Sequence, residues 1–346
     1  MQKTILYAVL NWGLGHASRS IPIIRALILR GYKLVIVSDG EALTLLQGEF
    51  PEQQFEATKS YAVEYALKAK SFNTTLALQI PKFIQAIKEE HRDCQFLCKK
   101  YAIDKIISDN RYGFYHKEIP SAFICHQLHL RYPASTIIEK IVNKSYQYYL
   151  KNFTQLWVPD LAPPNSISGE MSGLNWFNVH YLGIDSRLEK LKVPEKYQYI
   201  AILSGPEPQR SLLEAELLLS LNSKPGEHVI IRGTNDARQY FSKAHVQVYD
   251  MMNSTTLNTL ICSSQTVLCR AGYTSILDLL KLDKDAILIP TPGQAEQEYL
   301  ADNLKKLRYF GVEKQGEIEL LASNKQERPK LNFGYNFELI QSFLSC

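Results

Sequence analysis

The sequence predicts an α/β protein built from two doubly wound parallel-sheet domains in series, and three observations carry that reading. Short β-rich apolar runs alternate with longer amphipathic stretches in the first half, the signature of parallel strands joined by crossover helices. A stretch of turn formers around Pro163 and Pro164 interrupts the series, and a second alternating series follows it. Finally, 346 residues with 45% hydrophobic content suffice for two cores.

In order, the first series reads as a strand Ile5 to Leu10, a helix from about Ala17 to Leu29, a turn at Gly31 and a strand Leu34 to Val37. Strands Lys105 to Ser108, Ala122 to Cys125 and Gln155 to Val158 follow, with helical patterns over Thr75 to Lys100 and Thr136 to Phe153 between them. Trp157-Val-Pro-Asp160 and His180-Tyr-Leu-Gly-Ile184 read as the end of a first domain, residues 1–184, running into a linker, 185–196. The second domain, 197–346, carries strands Tyr199 to Leu203, His228 to Ile231, Gln247 to Tyr249, Thr266 to Leu268 and Ala286 to Pro290. Its helices are expected from about Arg210 to Leu221 and from Thr274 to Leu282, and its last helix can pack back on the first domain. Ligands of open α/β sheets bind at the carboxyl ends of the strands, so such a pair is expected to leave a binding cleft.

Composition narrows the function classes. A net charge of +4 is too small for a nucleic-acid protein. The basic excess belongs to the first 184 residues, with 20 Lys and Arg against 15 Asp and Glu, while the remainder has 19 against 20. No apolar stretch reaches the roughly 18 to 20 residues of a membrane span, and six dispersed cysteines fit reduced thiols, so a cytoplasmic protein is expected. His91, Cys94 and Cys98 lack a second ligand pair at zinc spacing and read as one helix face rather than a metal site.

The loop "GLGHASRS", Gly13 to Ser20, matches two thirds of a dinucleotide fingerprint. Gly13 and Gly15 fit and Asp39 stands where the ribose-binding acid belongs, but Ser18 replaces the third glycine. NAD binding through Gly13, Gly15 and Asp39 is therefore one reading. The other takes the glycines as a tight strand-to-helix turn that admits a polar substrate and projects His16, an imidazole suited to general-base work near neutral pH.

The second half carries "LCRAGYTSILDLLKLDKDAILIPTPGQAEQEYLADN", Leu268 to Asn303. Arg270-Ala-Gly272-Tyr-Thr-Ser275 turns a strand into a helix whose free amides, with the Thr274 and Ser275 hydroxyls, suit a phosphate. Arg270 adds a charge-assisted contact. Asp278, one turn on from Thr274, suits the vicinal hydroxyls of a ribose. Thr291-Pro-Gly293-Gln294 turns the chain back toward the ligand, and Glu296 and Gln297 suit paired hydroxyls of a hexose.

"CRAGYTSILDLL", "PTPGQAEQEYLA" and "GLGHASR" together resemble the two-domain GT-B glycosyltransferases over nearly the whole chain. The resemblance is nearest to the MurG-like branch, which contains the peptidoglycan lipid-intermediate N-acetylglucosaminyltransferase and the family 28 C-terminal domain. It implies a first domain for the acceptor and a second for a UDP-sugar donor. Gly272, Tyr273, Thr274 and Ser275 would hold the diphosphate, Asp278 the ribose, where the branch has Glu, and Glu296 and Gln297 the hexose. Ser204-Gly205-Pro206 resembles a second phosphate-facing loop with fewer glycines, and Tyr249-Asp-Met251 lies where the base packs, its backbone suited to reading uracil.

The resemblance further implies inversion at the anomeric carbon, as in "an acceptor hydroxyl displaces UDP". His16 is the first choice for base. Asp109, in Ile107-Ser-Asp-Asn-Arg111, is the second or orients His16, and His126 is an acceptor contact. The helix amides and Arg270 meet the leaving-group charge, so no metal and no other cofactor is expected. Asp283-Lys-Asp285 precedes its strand and lies at the wrong end to hold a catalytic cation. The aromatic, basic segment Thr136 to Phe153 suits contact with an anionic membrane bearing a lipid-linked acceptor. Two other classes stay open: a UDP-sugar 2-epimerase of the same fold, and a nucleotide-sugar binding protein without turnover.

Overall fold

The structure is a computed structural model that describes residues 2–61, 79–130, 135–174, 176, 178–205, 207–234, 242–320 and 328–345. Its described residues divide into two compact units, one holding those up to Asp185 together with residues 332–345, the other those between Ser186 and Leu331.

The first unit is laid out as β1 (Thr4–Val9), α1 (Gly15–Leu29), β2 (Lys33–Ser38), α2 (Gly40–Glu49), β3 (Gln54–Ala57), α3 (Ile80–Tyr101), β4 (Lys105–Asp109), β5 (Ser121–Ile124), α4 (Thr136–Leu150), β6 (Gln155–Val158) and β7 (Val179–Tyr181). All its strands are parallel, in the order β3-β2-β1-β4-β5-β6-β7. Every residue of β1 is buried, because helices cover both faces of a central parallel strand and leave it no polar side. α1 stops where Gly31, at φ +79°, lets its amide and that of Tyr32 close on Ile28 and Leu27. Strand order reverses between β1 and β4, and their register sets Val9 opposite Asp109. Asp109 thereby ends its strand at the switch point, where open α/β sheets present their ligand sites.

The second unit comprises β8 (Tyr197–Ile202), α5 (Gln209–Ser223), β9 (His228–Ile231), β10 (Val246–Tyr249), α6 (Ser254–Cys262), β11 (Ser264–Cys269), α7 (Tyr273–Leu282), β12 (Asp285–Leu288), α8 (Ala295–Lys306) and β13 (Gly311–Val312). Its parallel order, β10-β9-β8-β11-β12-β13, reverses between β8 and β11. The loops leaving those two strands begin at Leu203 and at Arg270.

One domain boundary differs from the sequence reading. The expected linker is bound into the second unit: Ser186 Oγ donates to Asp278, Lys281 Nζ donates to the Ser186 carbonyl at 2.8 Å, and Asn258 donates to the Glu189 carbonyl at 2.9 Å. The last helix lies with the first unit, a packing the sequence reading allowed. Gly334 and Asn336 donate to the carbonyls of Ile184 and Leu182, and α9 (Phe337–Ser345) buries Ile340, Phe343 and Leu344 in the first unit's core. Phe343 meets fully buried Trp157 edge-on at 5.2 Å, a geometry that contributes about 0.5–1.5 kcal/mol beyond buried area.

Among the described residues no group of three or more His, Cys, Asp or Glu side chains is placed to hold a metal ion. Cys94 and Cys98 lie 4.0 Å apart on α3 inside an apolar cluster, while His91 stacks on Tyr115 at 4.3 Å. Asp283 and Asp285 flank the amino end of β12, where Arg328 pairs with both. No described helix is long and apolar enough to cross a membrane. Residues 75–78 of the helix expected from Thr75 lie outside the described residues.

Candidate active site

Gly13, at φ +74°, turns the chain from β1 into α1, which starts at Gly15 without a side-chain cap. α1 then aims His16, Arg19 and Ser20 at Asp109, whose carboxylate is completely buried. His16 Nδ1 lies 2.8 Å from Asp109 Oδ1 and Ser20 Oγ donates to Oδ2 at 3.0 Å. Arg19 forks onto both carboxylate oxygens, Nε to Oδ2 at 2.8 Å and Nη2 to Oδ1. Its Nη1 reaches His126 Nδ1 at 2.9 Å. His126 follows β5, and its carbonyl takes a 3.4 Å bond from Ser168 Oγ, itself held by buried Asp160.

This arrangement separates the base candidates. Burial works to raise the Asp109 carboxyl, but the Arg19 charge and the bonds from His16 and Arg19 overcome it and hold the group down at about 2. A buried, ionised carboxylate with these partners is placed to orient His16. Burial lowers the His16 imidazole below its usual value, Arg19 lowers it further, and Asp109 opposes both. His16 is thus neutral at neutral pH, and its ring keeps 14% of its surface exposed. With Nδ1 directed inward, Nε2 is the nitrogen left for a substrate.

Asp39 does not serve the dinucleotide reading. Its carboxylate pairs with the fully buried Arg111 and accepts from Asn11 Nδ2 at 3.1 Å. Arg111 in turn bonds Glu90 at 2.9 Å. The acid that would take ribose hydroxyls is a core ion pair.

In the second unit, Gly272 is the N-cap of α7 and offers no side chain to the first turn. The N-cap residue itself makes no side-chain bond to this turn, and a helix amino end suits an anion. Thr274 and Ser275 are half-buried, whereas the Tyr273 ring is in the core and contributes only backbone. Asp278 accepts from Ser186, and burial pushes its carboxyl up to about 6 against the pull of Arg187, Ser186 and Lys281. Ser204 and Gly205 are exposed, with Gly205 at φ +96°.

Three expected donor residues are engaged differently from the sequence reading. Arg270 is 1% exposed and gives its Nη atoms to the carbonyls of Gln209, Ile289 and Pro290, so it braces the strand ends; burial lowers it to about 10. Gln297 accepts from the Thr291 amide at 2.8 Å and so shapes the loop that leads through Gln294 into α8. The Tyr249 carbonyl accepts from the Arg232 amide at 2.8 Å, which commits it to the sheet rather than to a base. Glu296 is half-buried in the first turn of α8. Among the described residues, the buried Thr291 Oγ1 and Arg270 Nε have no partner.

Sequence reasoning missed Arg19, Ser20, Ser186 and Thr291. A signal existed for Arg19: it stands three residues after His16 on a helix, and such residues share a face. Ser186 is 92 residues from Asp278, beyond any local pattern.

Residues 212–324 match the glycosyltransferase family 28 C-terminal domain, while no curated protein matches the chain. Solved structures match over nearly its whole length. The calicheamicin glycosyltransferase CalG4 is 13% identical, covering 91% of this chain and 86% of its own, with TM-score 0.62. The spinosyn rhamnosyltransferase SpnG complexed with thymidine diphosphate is 12% identical, covering 90% and 86%, with TM-score 0.58. MurG of Acinetobacter baumannii is 12% identical, covering 92% and 87%, with TM-score 0.54. The chain therefore has the GT-B fold, and within it residues 212–324 are similar to the glycosyltransferase family 28 C-terminal domain. The likeness does not single out the MurG branch, since natural-product glycosyltransferases stand beside it.

Proposed function

We propose that the chain is an inverting, metal-independent glycosyltransferase that moves a hexose, an N-acetylhexosamine, from a UDP-sugar to a cell-surface glycan or lipid-linked acceptor. The observation that carries this reading is the neutral His16 backed by a buried, ionised Asp109. In the reaction the acceptor oxygen bonds to the anomeric carbon as the bond from that carbon to the diphosphate oxygen breaks. The acceptor proton passes to His16 Nε2, and Asp109 balances the imidazolium that forms. The amino-terminal end of α7 meets the charge that develops on the departing diphosphate, a fixed dipole that needs no reorganisation. Asp278 takes the ribose hydroxyls. The matched family 28 domain and the nucleotide diphosphate held by SpnG support a nucleotide-sugar donor.

A lipid-linked acceptor is favoured by α4. Its inner face buries Asn143, Tyr146 and Leu150, yet Ile137, Ile138, Ile141 and Tyr148 face solvent. Lys140, Lys144 and Lys151 flank that apolar stripe, the composition of a helix that lies on an anionic bilayer. This reading places the protein at the inner face of the cytoplasmic membrane.

Thermal unfolding with UDP, UDP-N-acetylglucosamine, thymidine diphosphate or NADH, each with EDTA, tests the donor site. Ligand at about a hundred times its dissociation constant adds roughly 2.7 kcal/mol, a shift of several degrees. The expected result is a UDP shift that survives EDTA and is lost in Asp278→Ala. A preference for thymidine diphosphate overturns the UDP assignment, a shift with NADH alone overturns the transferase, and epimerised UDP-sugar formed without acceptor makes the enzyme an isomerase.

A further inference from the structure

We propose that Thr291 is a donor-binding residue of the second unit, its hydroxyl reaching across the loop at Gly205 to donate to an oxygen of the second phosphoryl group of a nucleoside diphosphate. The inference rests on the second unit holding a nucleotide-sugar donor and names the group of that donor that this one side chain reads.

The sheet register brings the parts together. β8, β11 and β12 end on one row, Ile202 opposite Cys269 and Cys269 opposite Leu288. Three residues beyond these ends stand Gly205, Gly272 and Thr291. β11 lies between the other two strands, yet their loops converge over its end. A side chain at Gly205 would meet Thr291 Oγ1 at 4.0 Å and, outside its chain neighbours, no other described atom within that distance. Gly205 holds φ +96°, a conformation that glycine adopts without strain. Gly272 repeats the arrangement, since a side chain there would meet only Ser275 Oγ, at 3.8 Å. Two adjacent strand exits thus each offer bare backbone faced by one hydroxyl.

Thr291 is 1% exposed, and its hydroxyl has no hydrogen-bond partner among the described residues. A buried hydroxyl is ordinarily paired, so one left over beside exposed glycine backbone points to a ligand. The loop itself is held by other bonds. The Thr291 amide donates to Gln297 at 2.8 Å, the Thr291 carbonyl accepts from the Gln294 amide at 3.0 Å, and the Gly293 amide donates to Glu298 at 2.8 Å. Arg270 spans the gap between the two loops, from the Gln209 carbonyl to those of Ile289 and Pro290, and among the described residues none of its bonds goes to a carboxylate. The loops therefore meet around a buried cation bonded only to neutral oxygens, a setting that favours an anion. With the ribose on Asp278, within α7, the phosphoryl group next to the ribose takes the helix start. The second then lies over Gly205, where the Thr291 hydroxyl makes a charge-assisted bond to it.

The test is titration calorimetry of the full chain with uridine monophosphate, UDP, thymidine diphosphate and UDP-N-acetylglucosamine, beside thermal unfolding without ligand. Thr291→Val keeps the shape of the side chain and removes the donor. It is expected to bind UDP about ten- to a hundredfold more weakly than wild type while its affinity for the monophosphate stays within about twofold. Without ligand it should unfold within about 2 °C of wild type or above it, because no protein partner is lost. Thr291→Ser, which retains the hydroxyl, should bind UDP within about threefold of wild type. If Thr291→Val does not fold, Thr291→Ala carries the same comparison.

Unchanged UDP affinity in the Val variant overturns the proposal. An equal loss for the monophosphate, with a lowered unfolding temperature, makes Thr291 a loop-holding residue and overturns it too. A loss confined to UDP-N-acetylglucosamine puts the hydroxyl on the sugar and overturns the phosphoryl assignment. A wild type that prefers thymidine diphosphate, with the Val variant losing it, refutes the uridine donor and supports the Thr291 contact. A wild type that binds neither diphosphate refutes both.

Discussion

Asp109→Asn tests the centre of the candidate site most directly. The carboxylate is fully buried and holds Arg19, His16 and Ser20, so the amide leaves a buried guanidinium without its counter-charge. Breaking a buried pair from one side costs about 3–5 kcal/mol. A second route gives a compatible figure. The Asp109 carboxyl falls from 3.8 to about 2 on folding, close to two units and therefore about 2 kcal/mol of stability. Because the folded value is the lower one, this contribution is complete above about pH 4 and disappears as pH falls toward 2. Calorimetry of wild type and variant from pH 3 to 8 measures both. The expected outcome is a transition lowered by roughly 10 °C at pH 7, with the gap narrowing below about pH 4 as the wild type loses its carboxylate. A variant within about 2 °C of wild type at pH 7, or a gap independent of pH, would refute the argument that this ion pair organises the site.

His16→Ala is expected to lower kcat by about 10²- to 10⁴-fold while UDP binding is unchanged, and wild-type kcat/KM should fall with pH below about 6.5 as the imidazole protonates. Asp278 carries a raised carboxyl near 6, so UDP affinity should weaken as pH drops through that value, and titration calorimetry of Asp278→Asn should show the limb abolished. The same raised value runs the other way for folding, since protonation between about 6 and 3.8 relieves a buried charge and favours the native state. Ile141→Glu on exposed α4 should leave stability within about 0.5 kcal/mol and remove sedimentation with phosphatidylserine vesicles; retained sedimentation would exclude that face as the membrane contact.

Legibility in the sequence followed the range of the forces involved. Gln155–Val158 and His228–Ile231 read directly as strands because all but one of their residues are buried and the apolar run is the element itself. Gly40–Glu49 did not read as a helix, since it opens on glycine, contains Gly48 and buries only Ala42 and Leu46. The His16 and Asp109 candidates were visible because each lies where a strand of a parallel sheet ends, a place that topology marks for function. What their partners do was not visible. Asp39 is committed to Arg111 across 72 residues, and Arg270 turns inward to carbonyls that no spacing announces. Long-range pairing decides whether a charged side chain serves a ligand or the core, and a sequence read locally contains no record of it.

The return of the last fourteen described residues to the first unit has a temporal consequence. Translation delivers β1 to β7 early, but Trp157 and Leu182 lack the apolar cover of Ile340, Phe343 and Leu344 until roughly 160 further residues have been added. At about 5–20 residues per second that interval is on the order of ten seconds. During it the second unit has its whole chain available and the first does not. The half of the protein that is made first is thus completed last, and a nascent chain arrested before α9 would present an open apolar face to chaperones.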